Sequence, residues 1–126
     1  MIFKTLIGAA ALSLAFGATA AQAEKLVIGT EGAYPPFNFI QTDGKIAGFD
    51  VEIGEELCKR IGAECTVVAQ DWDGIIPGLL AKKYDMIVAS MFITEERKKQ
   101  VDFTAPYYKA AMTMVVPKDS ALTEFT

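Results

Sequence analysis

FDVEIGEELCKRIGAECTVVAQ, residues 49–70, changes its periodicity halfway. In the first part Phe49, Ile53, Leu57 and Ile61 recur every four residues, which predicts one apolar face of a helix over 49–62. Asp50, Glu52, Glu55 and Glu56 load its start, and Lys59 and Arg60 load its end, both in the sense that suits the helix dipole. Gly62 follows as a C-terminal cap. These charges are assigned to a solvated face. From Glu64 the pattern becomes ECTVVAQ, a short β-branched run that predicts a strand.

Upstream, KLVIG (25–29) reads as a buried strand ended by glycine, so strand, helix and strand form one unit. Between them Asp43-Gly44 is a turn signal, and its flanks are expected to pair as a hairpin. DWDGIIPGLLAKK (71–83) predicts a helix entered through Asp73, with Pro77 near its start. YDMIVAS (84–90) is almost wholly apolar, as in a parallel strand covered on both faces. TEERKKQ (94–100) predicts a short helix begun by Thr94, VDFTAPYY (101–108) a loop or short strand, and AAMTMVVPK (110–118) a strand stopped by Pro117. The order is α/β with a mostly parallel sheet flanked by helices, and ligands of such sheets bind at the carboxyl ends of the strands.

Residues 1–23 read as a secretory signal peptide: Lys4 gives the positive start, 6–16 the apolar run, and Ala21-Gln22-Ala23 the cleavage site. The product is expected to be soluble and exported, with 11 basic against 16 acidic side chains once Lys4 is removed. That balance argues against nucleic acid and anionic membranes as partners. With no histidine in the chain, the commonest general base and metal ligand are missing. Neither a metal nor a cofactor is expected. Export favours a disulfide between Cys58 and Cys65; the competing reading, a C-x6-C metal half-site, lacks partner ligands.

The candidate site residues fall after three strands. Glu31 and Tyr34 lie in TEGAYPPFNF (30–39), a carboxylate beside a stiff aromatic loop. It is either a turn whose aromatics plug the core or a pocket for something cationic and flat. Asp71 and Trp72 follow the second strand, and Trp72 could be core, strand-end cap or pocket wall. Paired with Tyr34 it could sandwich a flat cation that Glu31 neutralises. Ser90, Phe92 and Arg97 follow the third. Arg97 stands in the first turn of its helix, where the dipole disfavours a cation. It is either part of a solvated cluster with Lys98 and Lys99 or a carboxylate receptor, with helix-start N–H groups as added donors.

From Lys25 to about Lys118 the chain resembles the N-terminal lobe of periplasmic solute-binding proteins of family 3, the polar amino-acid binders of ABC importers. IGTEGAYPPFNF, GKIAGFDVEIGEELCKRIGAEC, DWDGIIPGLLAKKYDMIVASM and ITEERKKQVDFTAPYY carry the resemblance. The nearest branch is the lysine/arginine/ornithine/histidine and opine binders. The resemblance implies a type II periplasmic-binding-protein lobe over 24–117 whose second lobe is missing, with 118–126 as the hinge and its truncated beginning. It implies that Glu31 faces a cationic side chain, that Tyr34 and Trp72 wall it, that Ala89 and Ser90 contact the ligand backbone, and that Arg97 binds the α-carboxylate. In that family the cysteine pair is a disulfide. The implied partners are a cationic amino acid or opine and an inner-membrane ABC permease, with the protein a monomer and not an enzyme.

Two residues depart from the family pattern. Glu31 stands where many histidine and lysine binders have aspartate, and Phe92 stands where serine or threonine is usual, so only its backbone N–H could serve a carboxylate. Family members are more than twice as long, and with half the cleft absent the chain is expected to bind weakly or not at all. The alternatives are an exported dehydratase of the same fold acting on arogenate- or prephenate-like acids, which would have its catalytic residues partly in the other lobe, and a non-functional truncated lobe.

Overall fold

The computed structural model describes residues 23–111, 113 and 115–122; the expected signal peptide falls almost wholly outside them. Strand β1 (Lys25–Thr30) is the centre of a three-stranded sheet, flanked by β5 (Glu64–Ala69) and β6 (Met86–Ile87). Both pairings are parallel: Lys25 faces Glu64 and Thr30 faces Ala69 on one side, and Ile28 faces Met86 on the other. Strand side chains alternate between faces. Ile28, Val67 and Met86 therefore pack with Cys58 and Val88 in one apolar cluster, while Val27, Val68 and Ile87 pack with Ile75 and Tyr84 in a second. Burial on both faces explains why these strands read as continuous apolar runs.

The hairpin is present. Strands β3 (Asn38–Ile40) and β4 (Ile46–Ala47) pair antiparallel across the Asp43-Gly44 turn, and β2 (Ala33–Tyr34) extends this second sheet. Gly44 takes φ 84°, and Lys45 N–H donates to the Asp43 carboxylate at 3.0 Å.

Helix α1 (Phe49–Ile61) ends at left-handed Gly62, φ 72°, as its sequence predicts. Its buried face is not the predicted one. Asp50, Val51, Gly54 and Cys58 are buried, whereas Leu57 and Ile61 are 50% and 65% exposed. Small residues let the helix lie close on the sheet: a Cβ on Gly54 would stand 2.9 Å from Ile28 Cδ1. Cys58 and Cys65 are bonded, with Cα atoms 6.1 Å apart, joining the end of α1 to β5. The separation lies within the usual disulfide range.

Helix α2 (Trp72–Leu80) has Asp71, not Asp73, at its N-cap, and Pro77 lies inside it rather than near its start. Starting one residue after the strand-end turn brings Trp72 into the first turn. Strand 84–90 contracts to β6; Asp85 N–H and Val88 N–H on either side of it still donate to β1 carbonyls, and Ser90 turns left-handed at φ 48°. Helix α3 (Glu95–Lys98) is capped by Thr94, whose hydroxyl accepts from Arg97 N–H at 3.2 Å. Of the strand expected over 110–118, Met112 and Met114 lie outside the described residues, and the others form no strand.

Candidate functional site

The carboxyl ends of β1, β5 and β6 open on one edge of the parallel sheet; Glu31 follows β1, Ala89, Ser90 and Phe92 follow β6, and Tyr34 stands in β2, Trp72 in the first turn of α2 and Arg97 in α3. Tyr34, Ser90 and Phe92 line a cavity of about 440 Å³ with Phe37, Phe103 and Tyr107. Trp72 and Arg97 line a second one of about 260 Å³, and Met91 borders both. Glu31 and Ala89 line neither. Ala89 is buried beside Ile75 and Tyr84, while Glu31 is half-buried and, among the described residues, its carboxylate has no hydrogen-bond or ion-pair partner.

Tyr34 stacks on Phe37, ring centroids 5.2 Å apart, and Phe37 meets Tyr108 edge-on at 5.4 Å. Phe49, at the start of α1, joins both Phe37 and Tyr108. The aromatic loop is thus braced by helix and 101–110 segment, and Tyr34 remains about half exposed at the cavity edge.

Arg97 separates from its basic neighbours. Lys98 and Lys99 pair with Glu95 and Glu96 at 2.9 and 2.8 Å. Arg97 has no carboxylate partner among the described residues. Its Cζ lies 5.3 Å from the centroid of the Trp72 ring, within cation–π reach, and its Nη1 donates to the Phe92 carbonyl at 2.8 Å. Further guanidinium N–H groups remain available as donors.

Behind Ser90 lies a polar network that sequence reading misses. Asp50 is fully buried. Its Oδ2 accepts from Asn38 Nδ2 at 2.7 Å, and its Oδ1 accepts from Ser90 Oγ at 2.9 Å and Tyr107 OH at 2.8 Å. Ser90 N–H donates to the same Tyr107 oxygen at 2.9 Å, and Asn38 Oδ1 accepts from Gly32 N–H at 2.7 Å. Three donors and the start of α1 compensate the buried carboxylate. Burial and the Asp50 hydrogen bond push the Tyr107 phenol up to about 12. A left-handed non-glycine residue costs about 1–3 kcal/mol, and at Ser90 these bonds offset it. The charge of Asp50 matches the helix start, which places it on the solvated face when only the sequence is read; the signal for burial is the spacing of small or short residues at 50, 54 and 58.

Residues 26–123 match the profile of the bacterial extracellular solute-binding proteins, family 3. The chain belongs to that family. Family-3 relatives include the octopine-binding periplasmic protein of Rhizobium meliloti, 45% identical over 91% of this chain and 39% of the relative. The L-arginine-binding protein of Pseudomonas aeruginosa is 44% identical over 94% and 46%. The histidine-binding periplasmic protein of Salmonella typhimurium is 44% identical over 87% and 42%. The family-3 chain therefore spans less than half the length of these relatives. Among solved structures, the arginine-bound form of domain 1 from TmArgBP is 46% identical, covers 67% of each chain and has TM-score 0.64. A Salmonella typhimurium periplasmic binding protein described for high arginine specificity gives TM-score 0.66 at 42% identity, over 68% of this chain and 38% of that one. The fold is that of one periplasmic-binding-protein lobe, with a parallel sheet between helices.

Proposed function

We propose that this chain is the N-terminal lobe, over 24–117, of a monomeric periplasmic protein that captures a cationic amino acid or an opine and presents it to an ABC permease, performing no chemistry itself. Residues 118–126 begin the crossing to a second lobe, and the first 23 direct export. The observation that carries the reading is Arg97: it leaves the carboxylates beside it on α3 and lies over Trp72 at the edge of the parallel sheet. Arg97 is the receptor for the α-carboxylate. Glu31, half-buried without a partner among the described residues, takes the cationic side chain, and Tyr34 and Trp72 supply aromatic faces for its stem. Ala89 and Ser90 contact the ligand backbone, and Phe92 offers its main chain. The names of the relatives, binders of octopine, arginine and histidine, support the ligand class and the periplasmic setting. The arginine-bound form of domain 1 from TmArgBP supports capture by a single lobe, against the expectation that half a cleft binds weakly or not at all.

The test is a thermal-shift panel on the chain and on Glu31→Gln, with arginine, ornithine, lysine and octopine against glutamate, glutamine and leucine. A ligand at 100 times its Kd adds about 2.7 kcal/mol of stability. Cationic ligands are expected to raise Tm in the wild type, and Glu31→Gln to weaken them and relax selection toward glutamine. Stabilisation by glutamate alone would overturn the cationic assignment. No stabilisation by any of the seven would overturn capture by this chain.

A further inference from the structure

The buried carboxylate of Asp50 touches three segments that build the candidate site: the aromatic loop through Asn38, the strand end through Ser90, and the 101–110 segment through Tyr107. The directions of these bonds are fixed. Tyr107 OH accepts from Ser90 N–H, so its proton goes to Asp50 Oδ1. A carboxylate donates nothing, so the Ser90 hydroxyl proton also goes to Oδ1. Both donors of Ser90 are thereby consumed inside the network. What Ser90 presents to the 440 Å³ cavity that it lines is lone pairs only.

We propose that Asp50 is a positioning residue that sets the hydrogen-bond polarity of the cavity wall: by taking the Ser90 hydroxyl proton it makes Ser90 an acceptor, selective for the ammonium of an α-amino acid. The inference rests on the amino-acid reading of the site. It extends that reading to a residue on another element, placed so that it touches no ligand.

The network supplies its own control. In Asp50→Asn, one orientation of the amide sets its NH2 against the NH2 of Asn38, donor against donor. The other orientation satisfies Asn38 but points the NH2 at Ser90 Oγ, which releases the serine proton toward the cavity. Exchanging the two residues, Asn38→Asp with Asp50→Asn, repairs this. The carboxylate moved to position 38 accepts from Gly32 N–H and from the new amide at position 50, whose oxygen again accepts from Ser90 and Tyr107.

The experiment measures binding of arginine and of 5-guanidinopentanoate, which is arginine without its α-amine, to wild type, Asp50→Asn and the exchanged double variant. Ser90 amide hydrogen exchange is followed in the ligand-free proteins. Arginine is expected to be preferred by wild type and double variant, and the preference to fall about tenfold or more in Asp50→Asn. Ser90 exchange is expected to be slow in the first two and faster in the single variant. A structural role alone would weaken both ligands together and leave their ratio unchanged; that result would overturn the proposal. So would a double variant that folds but does not recover the preference, and this comparison stands even if Asp50→Asn does not fold. If wild type binds neither compound, the amino-acid reading falls. The exchange data then still judge Asp50: equal Ser90 protection in wild type and single variant would exclude the link.

Discussion

Arg97 lies over the indole of Trp72, its Cζ 5.3 Å from the ring centroid, and holds the Phe92 carbonyl with Nη1. A ligand carboxylate that recruits the guanidinium would change what faces the only tryptophan in the chain. Arginine binding is therefore expected to alter Trp72 emission. Arg97→Ala should remove the response to the carboxylate and lower affinity about thirtyfold or more, since loss of one partner of a desolvated charge pair costs roughly 2–5 kcal/mol. Calorimetry with arginine and its decarboxylated amine checks the role. A mutant that still prefers the α-carboxylate as strongly as wild type would exclude Arg97 as receptor.

Tyr107 predicts a loss of stability in alkali. Burial first, and the bond to Asp50 second, raise its phenol from 10.0 to about 12 in the folded chain. A folded-state pKa above the unfolded one means that the native protein holds the proton more tightly. The contribution is complete below about pH 10 and is lost as pH rises through about 12. Denaturant midpoints between pH 9 and 12 should fall for wild type and fall less for Tyr107→Phe. Parallel profiles for the two proteins would refute this.

The Cys58–Cys65 bond closes a short loop between α1 and β5. The chain-entropy relation gives roughly 2.5 kcal/mol for such a loop. Cys58 is also buried against Ile28 and Val88. Urea unfolding with and without reductant should therefore differ by about that amount, and mass spectrometry of the oxidised protein should find no free thiol.

Tyr84 is wedged between two glycines. A Cβ on Gly29 would approach its Cδ2 to 2.7 Å, one on Gly78 its Cζ to 2.8 Å, and its hydroxyl donates to the Ile75 carbonyl. Gly29→Ala and Gly78→Ala should each cost about 1–3 kcal/mol by displacing the ring. A denaturant series checks both; Gly44→Asn, at an open turn where asparagine tolerates positive φ, should be close to neutral.

The order of the main elements from β1 to α3, the parallel character of the main sheet, the Asp43-Gly44 hairpin and the Gly62 cap are legible in the chain, because each is written in local periodicity or in a residue with a special backbone preference; the strand expected over 110–118 is not among them. That Glu31 follows β1, Trp72 follows β5 and Ser90 follows β6 is legible too, since position along the chain sets position in an α/β sheet. The buried face of α1 is not. Phe49, Leu57 and Ile61 are apolar, but the buried side of the helix is Asp50, Val51, Gly54 and Cys58, with Gly54 lying close to Ile28 of β1, and closeness of packing has no signature in hydrophobicity. For the same reason Asp50 reads as a solvated helix-start acid. Its partners Asn38, Ser90 and Tyr107 are 12, 40 and 57 residues away along the chain, and only folding brings them to one carboxylate. The separation of Arg97 from Lys98 and Lys99 is decided there as well: three adjacent cations are alike in sequence, and the indole of Trp72, on another helix, distinguishes one of them.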